Sequence, residues 1–262
     1  MTTGVRTPSR ARLDAGTLRR DRWWVQPAIT FAVLLAFVVY STWRAFEDAY
    51  YYADPYLSPF YSPCLATRCA DGAAHFGTPF GDWWGLSPAL IILVVPLSFR
   101  LTCYYYRRAY YRSFWLSPPA CSVAEPHRRY SGESRFPLIL QNYHRYGLFA
   151  SLAFNVILTW DALIAFQDPE GGFGMGLGTL VLLVNAVLLW LYSLSCHSCR
   201  HVVGGRLRSF SEHPVRYKMW TQVSRLNTRH PVYAWASLVW VALTDFYVRL
   251  LASGAITDLR FF

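Results

Sequence analysis

Five long apolar runs, separated by polar and charged segments, dominate the pattern of this 262-residue chain. A helix needs roughly 20 apolar residues to cross a bilayer core about 30 Å thick. The runs therefore predict an all-α integral membrane protein, a bundle of about five transmembrane helices. The predicted helices are residues 27–44, 84–106, 146–166, 174–195 and 232–252. Pro88 and Pro96 interrupt the second run, but spanning helices tolerate prolines when neighbouring groups satisfy the freed carbonyls.

The apolar runs are spread too evenly along the chain to leave room for a separate soluble domain. We expect one transmembrane domain over residues 27–253, preceded by a basic tail over residues 1–26 and followed by a short tail over residues 254–262. The first run does not resemble a cleaved signal peptide, because Arg44 and several tyrosines follow it in place of small residues.

The distribution of basic residues predicts how the chain crosses the membrane. Cytoplasmic connections of membrane proteins carry an excess of Lys and Arg. Six arginines precede the first run, and residues 107–145 and 197–231 carry seven basic residues each. Residues 45–85 carry one arginine and five acids. The sequence therefore predicts a multi-pass plasma membrane protein with a cytoplasmic N-terminus and an external C-terminus, and its net charge of +10 does not indicate nucleic-acid binding.

The long connections have distinct characters. Residues 107–115 and 213–227 are basic and aromatic, and they predict short interfacial helices on the cytoplasmic side. Contact with lipid headgroups and docking of a soluble partner both explain these segments. The external connection, residues 45–85, is expected to form an ordered lid. Its Cys64 and Cys69 face the oxidising side, and the sequence leaves two alternatives for them, a disulfide or two free thiols.

Most cysteines and histidines lie at the predicted cytoplasmic ends of the helices, and the densest group is Cys196, His197, Cys199 and His201. Thiolates and imidazoles together suit zinc or iron–sulfur chemistry. Two cysteines on one iron and two histidines on the other form a Rieske-type [2Fe–2S] centre. In a continuous helix the cysteines and the histidines occupy different faces, so all four converge only if the helix unwinds. Otherwise one pair combines with alternates from neighbouring helix ends, namely Cys103, Cys121 or His144.

Haem b is the less favoured cofactor. A haem between spanning helices normally needs axial histidines within the bilayer, and the interiors of the predicted helices contain none. A haem at the cytoplasmic rim, using His144 with His201 or His230, stays open, as does a structural zinc site.

Two further groups of polar residues indicate function. Asp161 and Asp245 lie within predicted helices, where carboxylates are costly and often mark proton paths. Asp245 could instead pair with Arg249 one turn away, whereas Asp161 has no such local partner.

Arg100 and Tyr104 share one helical face at the cytoplasmic edge of the second predicted helix. Together with His144 and Arg145, they predict a pocket for a quinone headgroup. Snorkelling side chains at the membrane surface explain each single position equally well.

Three segments carry a family resemblance: TCYYYRRAYYRSFWLSPPACSV (102–123), FPLILQNYHRYGLF (136–149) and LSCHSCRH (194–201). They resemble the membrane anchor subunits of actinobacterial succinate:quinone oxidoreductases, and the five-helix layout extends the resemblance over the chain. The resemblance implies a flavoprotein subunit, an iron–sulfur subunit that donates electrons at the cytoplasmic face, and a quinone acceptor of the menaquinone type.

Many anchors of this family hold haem b with intramembrane histidines, which this sequence lacks. The resemblance is therefore to a haem-less branch, with Cys196, His197, Cys199 and His201 as ligands of a Rieske-type relay. We expect an electron-transferring, quinone-binding anchor that is not catalytic alone. The alternatives are a rim-haem anchor, a zinc-stabilised membrane scaffold and a small transporter.

Overall fold

A computed structural model describes residues 21–123, 134–136, 138–167 and 171–262. Most of the predicted N-terminal tail therefore lies outside the described residues. The α-helices are α1 (Val25–Glu47), α2 (Pro88–Ile92), α3 (Val94–Thr102), α4 (Tyr104–Phe114), α5 (His144–Ile164), α6 (Leu177–Leu194), α7 (His197–Gly204), α8 (Pro214–Asn227) and α9 (His230–Ala252). A 3-10 helix, Leu138–Tyr143, precedes α5. Two short strands, β1 (Tyr52–Ala53) and β2 (Tyr56–Leu57), pair antiparallel between α1 and α2.

Within the described residues, four helices are long and apolar enough to cross a membrane, and a fifth span is possible if a bent helix pair counts as one. The four are α1, the segment Leu138–Ile164, α6 and α9. The described residues are mostly helical with few strands, which confirms the predicted all-α bundle of about five apolar helices.

The second predicted helix, 84–106, is divided into shorter pieces. Pro96 has no N–H to donate to the carbonyl of Ile92, which is where α2 ends and a new helical segment begins. A second break follows at Cys103, whose backbone is extended with φ −63° and ψ 129°. The segment Tyr104–Phe114 then leaves at 79° to the preceding helices. Helices α4 and α8 cover most of the two segments predicted to be interfacial.

The two ends of the bundle differ in structure. Helices α1, α5 and α9 end beside the connection formed by residues 48–87, which we call the cap. The opposite end, where Cys103 and Cys196 lie, is called the cysteine end. The cap has its own core, in which the rings of Tyr51 and Tyr61 stack with centroids 4.1 Å apart. Cys64 and Cys69 form a disulfide within the cap, so of the two predicted alternatives the disulfide is confirmed and the free thiols are not.

A buried ion pair joins α1 to α9 at the cap end. Arg44 Nε donates to Asp245 Oδ2 at 2.7 Å, and both side chains are fully buried. Ser58 of the cap and Tyr40 also donate to this carboxylate. Asp245 therefore has Arg44 as its partner in place of Arg249, the alternative that the sequence left open, because Arg249 instead binds Glu47 with a closest N–O distance of 2.6 Å. A buried guanidinium at Arg44 requires a buried counter-charge, and Asp245 supplies it.

Asp161 also contacts the cap. Its carboxylate is 1% exposed, lies 3.1 Å from His75 Nδ1 and accepts a hydrogen bond from Ser62. The sequence showed no partner for Asp161 because both partners lie far away along the chain. The two carboxylates considered for a proton path thus each join a spanning helix to the cap.

Removing Arg44 tests the importance of this pair. Arg44→Leu leaves Asp245 buried without its counter-charge, so the free energy of unfolding should fall by about 3–5 kcal/mol. The matched control Arg68→Leu removes an exposed 2.7 Å pair with Asp48 and should cost less than about 1 kcal/mol. Unfolding by SDS titration in mixed micelles measures both. Equal losses in the two variants would contradict a structural role for the buried pair.

Candidate functional site: the cysteine end

Four side chains meet at the cysteine end, and we call them the Cys/His cluster: Cys103, His144, Cys196 and His230. Each lies at a helix boundary: Cys103 between α3 and α4, His144 at the start of α5, Cys196 between α6 and α7, and His230 at the start of α9. Both cysteines have extended backbone conformations: Cys103 directly follows α3, and Cys196 follows α6 after one residue. Cys103, Cys196 and His230 are buried.

The cluster consists of two thiol–imidazole contacts. His144 Nε2 lies 3.0 Å from Cys196 Sγ, and His230 Nε2 lies 3.4 Å from Cys103 Sγ. The two contacts are close together, because Cys103 and Cys196 belong to the same buried core. Burial, followed by the charge of Cys103, raises the pKa of the Cys196 thiol to about 12. At neutral pH this thiol is therefore protonated unless a metal replaces its proton.

Each imidazole of the cluster is oriented through its second nitrogen. His144 Nδ1 lies 3.1 Å from Thr102 Oγ1, and His230 Nδ1 lies 2.8 Å from Ser195 Oγ. These hydroxyl residues directly precede Cys103 and Cys196. Each histidine thus contacts one cysteine of the cluster and the hydroxyl residue that precedes the other cysteine.

Aromatic rings stack on the faces of the same two imidazoles and hold them in place. The ring of Phe99 stacks on His144 with centroids 4.5 Å apart, and the ring of Tyr192 stacks on His230 at 5.3 Å. Hydrogen bonding of the second nitrogen is how proteins orient metal-ligating histidines. Both Nε2 atoms therefore point towards the buried thiols.

The structure does not bring together the four ligands predicted from local sequence density. Helix α7 is continuous from His197 to Gly204, so it does not unwind as convergence would require. Cys199 is buried, whereas His197 and His201 are exposed. Of this set only Cys196 reaches the cluster, and among the alternates His144 and Cys103 reach it while Cys121 lies exposed. Across the described ranges, no three His, Cys, Asp or Glu side chains are placed to hold a single metal ion.

Of the four residues predicted for the quinone pocket, Arg100 is separated from the exposed Tyr104 and Arg145. The bend at Cys103 separates Arg100 from Tyr104, which would share a face only in a continuous helix. Arg100 points into the bundle, where it donates to Tyr106 Oη at 2.6 Å and Ser237 Oγ at 3.1 Å. Tyr104 and Arg145 are exposed, and His144 belongs to the cluster.

Arg100 also lines a cavity of about 90 Å³ between the helices, together with Ser151, Asn155 and Tyr192. Ligand pockets usually measure about 300–1,000 Å³. The cavity is therefore too small to serve as a quinone site.

Comparison with known proteins decides the family. The model of the actinobacterial succinate dehydrogenase subunit SdhC matches residues 25–254. This chain belongs to the SdhC family. It is 57% identical to a chain solved in the "Mycobacterium smegmatis Sdh1 complex in the apo form", with a TM-score of 0.91 over 100% of both chains. No match was found among proteins with curated functional descriptions.

Membership in the SdhC family makes this chain a membrane anchor subunit of a succinate dehydrogenase complex and a multi-pass plasma membrane protein. It is a non-catalytic part of an oxidoreductase complex, as predicted. The predicted partners follow from the same membership: a flavoprotein subunit, an iron–sulfur subunit, quinone and membrane lipids.

Proposed function

We propose that this SdhC family member accepts electrons from the iron–sulfur subunit at its cysteine end and passes them to membrane quinone through a Rieske-type [2Fe–2S] centre. The proposed ligands are Cys103, His144, Cys196 and His230. The observation that carries the proposal is the pair of buried thiols facing two imidazoles whose Nδ1 atoms are both held by hydroxyls.

The donor set fits a two-iron centre. Two thiolates on one iron and two imidazoles on the other are the ligands of Rieske centres. In such a centre both cysteines bind one iron and both histidines bind the other, so the four side chains need not converge on one ion. Relative to the set predicted from the sequence, Cys103, His144 and His230 replace His197, Cys199 and His201.

When bound, the centre supplies one-electron transfer, and the chain's own residues supply its environment. Burial of the cluster excludes water. The guanidinium of Arg100 lies over the ring of Tyr192 at 4.6 Å, and Tyr192 packs in the same buried core as Cys103 and Cys196. Its positive charge therefore stabilises the thiolate ligands. This role replaces the direct quinone contact that the sequence predicted for Arg100.

We place the quinone headgroup on the exposed side of the cluster. Tyr104 and Arg145 are exposed, and each directly follows a cluster residue, Cys103 and His144 respectively. A phenol and a guanidinium are hydrogen-bond donors suited to quinone carbonyls.

We also propose that the cysteine end is cytoplasmic. Arginines are abundant there, whereas the cap carries mainly acids, and an excess of basic residues marks cytoplasmic connections. This orientation places the Cys/His cluster on the side from which a soluble electron donor approaches.

Two neighbouring cysteines provide a matched test of the ligand assignment. In the purified complex, Cys196→Ser should lower succinate-to-quinone activity more than about tenfold through the loss of a ligand. It should also remove about two iron atoms and two labile sulfides per complex. Cys199→Ser, also at a buried position, should change neither quantity.

Succinate oxidation by a soluble dye should be equal in both variants, because it does not pass through this subunit. Loss of activity in Cys199→Ser together with full activity in Cys196→Ser would contradict the assignment. Zinc in place of iron in the purified complex would favour a structural Cys₂His₂ zinc site.

Labelling of single cysteines tests the orientation. Ser253→Cys follows α9 at the cap end, and Ser211→Cys lies between α7 and α8 at the cysteine end; both positions are exposed. A membrane-impermeant maleimide should label Ser253→Cys in intact cells and Ser211→Cys only after permeabilisation. Labelling of Ser211→Cys in intact cells would contradict the proposed orientation.

A further inference from the structure

Helix α7 presents two histidines on its exposed face. His197 and His201 lie one turn apart, and their Nε2 atoms share a hydrogen bond of 2.9 Å. The rings are nearly perpendicular, with centroids 4.4 Å apart and an interplanar angle of 80°. Neither residue belongs to the Cys/His cluster, so the two leave an imidazole pair that the proposed electron transfer does not use.

The separation of these nitrogens matches chelation of one metal ion. Imidazole nitrogens bind zinc at about 2.0–2.1 Å. Two such nitrogens are about 2.9 Å apart when the angle at the metal is 90° and about 3.3 Å apart when it is tetrahedral. Two histidines four residues apart on a helix are the arrangement that zinc proteases use for two of their ligands. Once the shared proton moves to the Nδ1 atom of its own ring, a small rotation of either ring directs both Nε2 lone pairs at a shared ion.

The helix that carries the pair is held in place by α8. Arg216 Nε donates to the carbonyl of Val203 at 2.9 Å, and Arg216 Nη2 donates to the carbonyl of Gly205 at 3.1 Å. The guanidinium of Arg200 lies over the ring of Trp220 at 4.9 Å. These contacts fix the last turn of α7 and keep the two histidines in position before a ligand arrives.

We propose that His197 and His201 chelate one divalent transition-metal ion of the zinc type at the surface of the cysteine end, separately from the Cys/His cluster. Water molecules complete the coordination. Imidazole ligands suit zinc, copper and nickel and disfavour magnesium and calcium. His197 directly follows Cys196, so an ion bound here would add positive charge beside the cluster.

Zinc binding to the purified succinate dehydrogenase complex tests this site. After treatment with EDTA and its removal, equilibrium dialysis against micromolar Zn²⁺ should detect one site that His201→Asn weakens about a hundredfold, because a chelate becomes a single-imidazole contact. His197→Asn should produce the same loss. The control is His213→Asn, a substitution at an exposed histidine at the start of α8, and it should bind as much zinc as the unmodified complex.

Equal zinc binding by the unmodified complex and the His201→Asn variant would overturn the proposal, as would the absence of zinc binding to the unmodified complex. The test is independent of the proposed [2Fe–2S] centre. Loss of that centre's activity in the Cys196→Ser variant leaves the histidine pair intact, and loss of zinc binding in His201→Asn leaves the cluster intact.

Discussion

An α-helix directs neighbouring side chains to different faces, so it cannot aim several adjacent ligands at one point. The SdhC family chain overcomes this constraint with two breaks in its helices. Cys103 and Cys196 each follow the end of a helix in extended conformation, and the starts of α5 and α9 bring His144 and His230 against them. Because each ligand comes from a different helix boundary, packing of the bundle itself assembles the site.

The opposite end of the bundle is stabilised in a different way. Charged groups in an apolar interior are costly unless they are paired and hydrogen-bonded. Arg44 with Asp245 and Asp161 with His75 meet this requirement, and each pair also attaches a helix to another part of the chain. The cap end is thus a structural end, held by buried polar pairs, whereas the cysteine end leaves its imidazoles and thiols available for metal chemistry.

The sequence predicted the spanning helices because the length of an apolar run is set by bilayer thickness, a property of each segment alone. It did not predict the bend at Cys103, since no proline or glycine lies there. The predicted metal ligands followed local density, and only Cys196 of that set reaches the cluster. Convergence of residues more than forty positions apart is a property of packing, and the same holds for Asp245 with Arg44.

One signal in the sequence could have indicated the cluster. Thr102 and Ser195 each precede a cysteine at the predicted end of a helix, and both hydroxyls orient a histidine that begins another helix. A hydroxyl residue next to a cysteine is too common a pattern to stand alone. Combined with histidines at the starts of two other helices, it indicates Cys103, His144, Cys196 and His230 more closely than local density does.

Electron paramagnetic resonance of the reduced complex tests the central claim most directly. With histidine nitrogens labelled with ¹⁵N, the account predicts a [2Fe–2S] signal whose average g value lies below that of the free electron and which couples to two imidazole nitrogens. The signal should disappear in the His144→Ala and His230→Ala variants and persist in the His197→Asn variant. A reduced complex without such a signal, or with one that survives both alanine substitutions, would contradict a redox centre held by the Cys/His cluster.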